Sequence, residues 1–187
     1  LRDDTVARRG GPVERVLIAL GMTDVGGVTA RVVDRLRQRI GQVALDVVLG
    51  AGAPSLPSLR RVAAHDARLH LHVDAQDMAE LTLQADIAIG AGGSTSWERC
   101  TLGLPSLTIV LAENQRAAAQ ALAQQGATLT IDAAGGDFDS SFDRAAVRLM
   151  SDPATRARLT AASLEVCDGL GAPRVAEAFL EAIAKRA

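Results

Sequence analysis

Short apolar runs alternate with amphipathic stretches along most of the chain. The runs are rich in β-branched residues and poor in polar ones, which is typical of strands covered on both faces of a sheet. The pattern predicts strands at Val13–Leu20, Val43–Leu49, Leu69–Val73, Asp86–Ile89, Ser106–Leu111 and Ala127–Ile131.

The segments between these runs carry apolar residues at helical spacing. Val28, Val32 and Leu36 are spaced by one helical turn and share one helix face. The spacing predicts helices at Val28–Ile40, Pro54–Ala64, Gln76–Gln84, Ser94–Leu102 and Asn114–Gln125, followed by three in succession at Phe142–Met150, Pro153–Cys167 and Arg174–Lys185. Because strands and helices alternate over short connections, we expect an α/β fold: a Rossmann-like parallel sheet of about six strands with helices on both faces.

In open parallel sheets, ligands bind in the crevice at the carboxyl ends of the strands. The loops at those ends are Gly21–Gly27, Gly50–Pro54, Gly90–Ser96 and Ala112–Gln115. These four loops are therefore the candidate binding region.

The stretch from Gly90 to Glu98 carries the most specific signal. Three glycines follow a strand, and hydroxyl residues then open a helix, so backbone N–H groups can approach an anion closely. Glu98 falls in the first turns of that helix, where a carboxylate can accept from ribose hydroxyls. The alternative is a plain turn with Ser94 or Thr95 as helix cap and Glu98 as capping-box partner.

Thr23 and Asp24 allow the same two interpretations in the first loop. Either residue can cap the helix that follows, and the loop can also present N–H groups to a phosphate.

Several better-known motifs fail on single residues. A dinucleotide fingerprint would need glycine where Thr95 stands, and a nucleophile elbow would need glycine at Ser96. No Walker A loop is present. His70 and His72 share a strand face with Asp74 nearby, but this spacing is a weak metal signal, and we expect no metal site. Trp97 is expected to pack between helix and sheet.

Charge and composition narrow the function classes. The net charge is −2, with one Trp, three Phe and no Tyr, which argues against nucleic-acid binding. Two cysteines far apart suggest neither a disulfide framework nor a zinc site, and a reducing cytoplasm is the simplest location. No apolar run approaches the ~20 residues of a membrane span.

The opening of the chain indicates a piece of a longer protein. Its first residue is Leu1, and residues 1–12 have the composition of a linker or lead-in. We expect residues 13–187 to form one domain at the C-terminal end of that longer protein.

The segments 85–105, Glu113–Gln115 and Asp168–Ala172 together resemble the UDP-sugar hydrolases of pseudaminic acid synthesis. These hydrolases are kin of the spore-coat polysaccharide proteins of the SpsG type. The spacing from Gly92 to Glu98 to Gly103 is shared with the glycosyltransferase that makes the peptidoglycan lipid precursor. The resemblance implies the C-terminal, nucleotide-binding domain of a GT-B fold.

The resemblance also implies roles for individual residues. Glu98 would hold the ribose hydroxyls, and backbone groups near His72 and Val73 would read the base edge. Asn114 and Gln115 would face the sugar. The diphosphate would lie on one loop and be closed over by another, which together contribute Gly92, Gly93, Ser94, Thr95, Gly21, Met22, Thr23 and Asp24.

Two departures from the family pattern limit what this chain can do. The family's first loop usually reads glycine-glycine-serine-aspartate, and Met22 replaces its second glycine, which restricts the backbone. The family's catalytic histidine lies in an N-terminal domain for which this chain has no matching segment. We therefore expect the chain to bind substrate without turning it over.

The implied function is release of UDP from a nucleotide-activated amino sugar, with no metal and no cofactor. The implied substrate is UDP-2,4-diacetamido-2,4,6-trideoxy-β-L-altrose, and the implied partner is the missing N-terminal domain. A GT-B glycosyltransferase is the first alternative, because this half holds the sugar nucleotide in both. A non-catalytic nucleotide-binding module is the second. A sugar epimerase fits less well, because we expect its site to draw acidic and histidine groups from this domain.

Overall fold

The computed structural model describes residue 6 and residues 9–185, and within them one parallel sheet forms the centre of the molecule. Its strands are β1 Arg15–Ala19, β2 Ala44–Leu49, β3 Leu69–Val73, β4 Ile87–Ala91, β5 Ser106–Val110 and β6 Leu129–Asp132. Their order is β3-β2-β1-β4-β5-β6, and every neighbouring pair is parallel. The predicted Rossmann-like α/β fold is confirmed.

Helices follow each strand, as the alternating pattern predicts. They are α1 Val28–Arg37, α2 Leu56–Ala63, α3 Met78–Gln84, α4 Thr95–Thr101, α5 Glu113–Gln124, α6 Phe138–Ser151, α7 Pro153–Val166 and α8 Gly171–Ala184. A single 3₁₀ turn at Val25–Gly27 precedes α1. No helix in the described part of the chain combines the length and apolarity needed to cross a membrane.

The sheet is covered on both faces. On one face, α1, α2 and α6 pack their apolar residues against a large cluster that includes Val16, Ile18 and Ile89. On the other face, α3 packs against Leu17 and Ala88, α5 lies against β5 and β6, and α7 packs against α4. Since α8 has no buried residue, it adds nothing to this core.

Element boundaries differ from the predicted ones where packing extends an element. Strand β4 continues past Ile89, because Gly90 and Ala91 pair with Thr108 and Ile109 of β5. The glycine loop that follows is therefore shorter than the sequence suggests. Helix α6 begins one turn before the predicted start, because Phe138 and Phe142 both lie on its buried face.

The predicted lead-in, residues 1–12, lies partly outside the described residues. Within it, Arg9 is buried, and its Nη2 donates to the carbonyl oxygen of Thr82 at 3.3 Å. The carbonyl oxygen of Gly11 accepts from Arg156 at 2.9 Å. These residues contact the domain, and the domain boundary itself stays a prediction.

Candidate functional site

A crevice of about 370 Å³ opens at the carboxyl ends of the central strands. It lies where β1 and β4 are neighbours, which is the point at which the strand order changes direction. Ligands of open α/β sheets bind at such switch points. The crevice is lined by three loops and the floor beneath them, including Gly21, Met22, Thr23, Gly93, Ser94, Thr95, Leu111, Ala112, Gln115, Val48 and Met78.

The glycine loop between β4 and α4 presents backbone donors to this crevice. Among the described residues, no carbonyl accepts from the N–H groups of Gly93, Ser94 or Thr95. Gly92 lies close to α5, since a Cβ there would lie 3.1 Å from the Cβ of Gln115 and would force that side chain to shift slightly. The loop is thus held close to α5 while its N–H groups remain available to an anion.

The capping interpretation of this loop holds for the position of Ser94 and fails for its capping hydrogen bond. Ser94 occupies the N-cap position of α4, but its side chain makes no capping hydrogen bond. The Thr95 hydroxyl instead accepts from Arg99 at 3.2 Å. Glu98 is exposed on the first turn of α4, and it lines a small pocket that adjoins the crevice and shares Thr95 and Met78 with it.

The first loop is braced by a buried aspartate. Asp24 has a φ of 45°, and its two carboxylate oxygens accept from the N–H groups of Thr29 and Ser55 at 2.9 and 3.0 Å. The side chain therefore ties the starts of α1 and α2 together, as the capping interpretation of this residue predicts. It does not line the crevice, whereas Gly21, Met22 and Thr23 do.

Met22 does not strain the loop, because the positive φ angles fall on its neighbours. Gly21 has a φ of 101°, and the other positive φ angles of this loop are at Asp24, Gly26 and Gly27. The carbonyl oxygen of Met22 accepts from the N–H of Gly50 at 2.9 Å. A Cβ at Gly50 would lie 2.5 Å from that oxygen, so the loop after β2 must have glycine here to support the first loop.

The third loop places one of its two predicted residues in the crevice. Gln115 lines it, and its side-chain oxygen accepts from the N–H of Leu111 at 3.0 Å, which leaves the amide nitrogen for another partner. Asn114 is exposed and does not line the crevice.

His72 and Val73 lie on the edge strand β3 and do not line the crevice either, although Val48, the register partner of His72, does. The His72 Nε2 lies 2.8 Å from an oxygen of Asp46, whose other oxygen accepts from Arg15 at 2.8 Å. This hydrogen bonding occupies the imidazole. Within the described residues, no group of three or more His, Cys, Asp or Glu side chains could hold a metal ion.

The burial of Trp97 and Cys100 on α4 follows the sequence-based expectation for only one of the two residues. Trp97 is 47% exposed, so the expectation that it packs between helix and sheet is wrong. The buried face of this short helix is formed by Ser96, Arg99 and Cys100, and Trp97 points away from it. Cys100 is buried as expected, and burial raises the pKa of its thiol.

Arg99 is the residue near the crevice that sequence reasoning missed. It is 5% exposed, and its guanidinium lies directly beneath the glycine loop. Its Nη2 donates to the carbonyl oxygen of Ala91 at 3.1 Å and to the Ser96 hydroxyl at 3.0 Å. A signal existed in the sequence, because Ser96, Arg99 and Cys100 have the spacing of one helix face, which places an arginine among buried positions.

Known proteins match this chain over most of its length. Residues 48–165, more than half of the chain, match the model of the glycosyltransferase family 28 C-terminal domain. The spore coat polysaccharide biosynthesis protein SpsG of Bacillus subtilis (strain 168) is 30% identical over 162 residues, which are 86% of this chain and 48% of that protein.

Solved structures share the fold at lower identity. MurG of Acinetobacter baumannii is 18% identical and has a TM-score of 0.72 over 96% of this chain and 53% of that one. S. aureus MnaA in a co-structure with UDP is 15% identical, with a TM-score of 0.70 over 96% of this chain and 48% of that one. A putative UDP-N-acetylglucosamine 2-epimerase from Listeria monocytogenes is 14% identical, with a TM-score of 0.70, and covers 96% of this chain and 48% of its own. The chain thus spans about half the length of the relatives it matches.

Proposed function

The chain belongs to the glycosyltransferase family 28 C-terminal domains, and we propose that it is the nucleotide-binding half of a two-domain enzyme acting on a UDP-sugar. The observation that carries this proposal is the crevice at the β1–β4 switch point, with its unbonded N–H groups at Gly93, Ser94 and Thr95. Its volume of about 370 Å³ suits part of a nucleotide sugar, since ligand pockets range from about 300 to 1,000 Å³.

We propose counterparts on this edge of the sheet for the diphosphate, the ribose and the sugar. The diphosphate would lie on the N–H groups of the glycine loop, with Gly21, Met22 and Thr23 facing it from the first loop. The exposed carboxylate of Glu98 would accept from the ribose hydroxyls. Gln115 would donate its free amide to the sugar.

The crevice is not lined by Asn114, His72, Val73, Gly92 or Asp24. Asn114 and the backbone beyond β3 would contribute at the margins of a bound nucleotide sugar. Asp24 would hold the first loop in place through its hydrogen bonds, and Gly92 would let the glycine loop lie close to α5.

For the reaction, we favour hydrolysis of an amino-sugar nucleotide such as UDP-2,4-diacetamido-2,4,6-trideoxy-β-L-altrose. A water oxygen would attack the anomeric carbon while the bond from that carbon to the phosphate oxygen breaks, so UDP leaves. A histidine of the other domain would take the proton from water. The support is the sequence resemblance over residues 85–115. Charge that develops on the leaving diphosphate would be stabilised by the loop N–H groups.

Glycosyl transfer is the alternative reaction. The family match and the fold shared with MurG support it as much as they support hydrolysis. The two differ in the acceptor, which is water in one case and a hydroxyl group in the other. A third possibility, a non-catalytic nucleotide-binding module, predicts no preference for UDP over other nucleotides.

The exposed apolar face of α8 supports a partner domain. Val175, Phe179, Leu180 and Ile183 are each more than half exposed on this helix, and relatives are about twice as long as this chain. We propose that this face packs on the other domain of the same protein. Hydrogen exchange of α8 should be slower in the full-length protein than in this chain, and equal rates would contradict the proposal.

The cellular location is part of the same proposal. Neither Cys100 nor Cys167 forms a disulfide in the described part of the chain, and cysteines outside disulfides are typical of proteins in a reducing compartment. We therefore place the enzyme in the cytoplasm.

Calorimetric titration tests the binding function. UDP should bind more tightly than GDP or dTDP, and Glu98→Ala should weaken UDP binding about tenfold or more, because a charged hydrogen-bond partner is lost. Glu177→Ala, an equally exposed carboxylate on α8, is the matched control and should bind as the unaltered chain does. Equal affinity for all three nucleotides would favour the non-catalytic module, and no binding would contradict the proposal for this chain.

A further inference from the structure

Arg99 carries a buried positive charge whose partners are all neutral. The guanidinium donates to the Thr95 and Ser96 hydroxyls and to the carbonyl oxygen of Ala91. Its Nε has no hydrogen-bond partner, and no carboxylate of the described residues forms an ion pair with it. A buried charge that forms no salt bridge is costly to the fold, so its retention needs a reason.

The Arg99 guanidinium occupies the space that a side chain at position 90 would fill. A Cβ at Gly90 would lie 2.3 Å from the Nη1 of Arg99. Gly90 belongs to β4 and has an ordinary φ, so glycine is needed here for space. Burial lowers the pKa of Arg99 to about 10, which leaves the group protonated at neutral pH.

The guanidinium is joined to the crevice through one hydroxyl. Thr95 lines both the crevice and the small pocket that Arg99 lines. Because the Thr95 oxygen accepts from Arg99, its own hydrogen is free to donate elsewhere. The N–H groups of Gly93, Ser94 and Thr95 lie on the same loop without an acceptor in the described chain.

We propose that Arg99 is a positioning residue that makes the glycine loop selective for the more highly charged phosphate ligand. It orients the Thr95 hydroxyl as a donor, and its buried charge, which forms no salt bridge and interacts at longer range with Glu98, favours an anionic group on the loop in a low-dielectric setting where screening by water is weak. This inference rests on the proposed nucleotide-binding function. It adds that affinity rises with the charge of the ligand because of a side chain that is almost entirely buried.

Arg156 provides a matched control. It is 2% exposed and also bonds to neutral groups, but its partners are the carbonyl oxygens of Leu149, Met150 and Gly11. Two of these belong to the last turn of α6, where the helix end favours a cation. Loss of Arg156 should therefore affect stability without changing the preference for charged ligands.

The experiment compares UDP, UMP and uridine as ligands of the unaltered chain and of Arg99→Met, Arg99→Lys and Arg156→Met, by calorimetry with the fluorescence of Trp97 as a second readout. Arg99→Met should lose about tenfold in UDP affinity, less for UMP, and nothing for uridine. Arg99→Lys should keep most of the preference for UDP over uridine, because the charge remains. Arg156→Met should lower the melting temperature and leave all three affinities unchanged.

An equal loss for UDP and uridine in Arg99→Met would overturn the inference, because it would show a purely structural role. If Arg99→Met does not fold, Arg99→Lys decides. A UDP-to-uridine affinity ratio that falls about tenfold in Arg99→Lys, although the charge is kept, overturns the inference. An unaltered chain that binds none of the ligands would instead defeat the proposed function itself, and this inference with it.

Discussion

The amino ends of the strands form one edge of the sheet and the carboxyl ends form the other, and the two differ in how completely their polar groups are hydrogen-bonded. At the amino edge, polar groups are paired: Asp86 accepts from the N–H groups of Glu14 and Arg15, and Arg68 bonds to Asp66 and to the carbonyl oxygen of Ile40. At the carboxyl edge, a row of backbone N–H groups has no acceptor in the described chain. Pairing at one edge stabilises the fold, and incomplete pairing at the other leaves room for a ligand.

Asp24 differs from the glycine loop at the same edge, since both of its carboxylate oxygens accept hydrogen bonds. We expect Asp24→Ala to have the largest effect on the fold, about 3 kcal/mol of unfolding free energy, because two buried N–H groups lose their acceptor. Urea unfolding measures it, with Asp77→Ala as the control at an exposed aspartate of the same edge whose side chain makes no capping hydrogen bond. A loss below about 1 kcal/mol would show that this edge is not braced through Asp24.

Two glycines of the carboxyl edge should separate fold from ligand binding. Gly90→Ala forces a Cβ onto the Arg99 guanidinium and should cost about 2 kcal/mol of stability. Gly93→Ala has open space around the new methyl group and should leave stability unchanged while it weakens UDP binding at the loop. Thermal unfolding and UDP titration of both variants check this. Similar losses of stability in the two would remove the distinction.

The amino edge should respond to acid. The side-chain hydrogen bond from Arg68 lowers the pKa of Asp66 from 3.8 to about 2. Because the folded-state pKa is below the unfolded value, the stabilisation is present above about pH 4 and is lost as the pH falls towards 2. Since the pair is partly exposed, we expect at most about 1 kcal/mol.

Asp66→Asn tests this dependence. Urea midpoints between pH 5 and 2.5 should fall less steeply for the variant than for the unaltered chain. Parallel curves for the two proteins would refute the assigned role of Asp66.

The smallest effect is expected at Trp97. Since this side chain is 47% exposed, Trp97→Phe should change the unfolding free energy by less than about 0.5 kcal/mol. Chemical denaturation followed by circular dichroism measures it. A large loss would mean that the indole packs against the domain after all.

The sequence predicts the strands and helices well because parallel strands buried on both faces leave continuous apolar runs, as at Val43–Leu49. It misplaces the end of β4, because Gly90 and Ala91 become strand through pairing with β5, which local pattern does not encode. It also fails for Trp97, because the size of a side chain does not fix which face of a seven-residue helix is buried.

The sequence predicts which loops form the candidate site, and it does not predict the side chains that hold those loops in place. The glycine and hydroxyl pattern predicts Gly93, Ser94 and Thr95 as ligand-binding residues; they line the crevice, and their contact with a ligand stays a prediction. Partners from distant segments are not visible in the sequence, as with Asp46 for His72 across the sheet. Arg99 was missed for a different reason, since its partners are local but its burial depends on how α4 packs against Gly90.

The most direct test of the central claim is a titration of the isotope-labelled chain with UDP, followed by amide chemical shifts in two-dimensional NMR spectra. The account predicts that the amides of Gly93, Ser94 and Thr95 shift most, with Met22 and Thr23 next. The amino-edge groove that contains Arg37, Arg61 and His65 should not respond. Shifts centred on that basic groove, or no shifts at the glycine loop at saturating UDP, would contradict the assignment of the carboxyl edge as the nucleotide site.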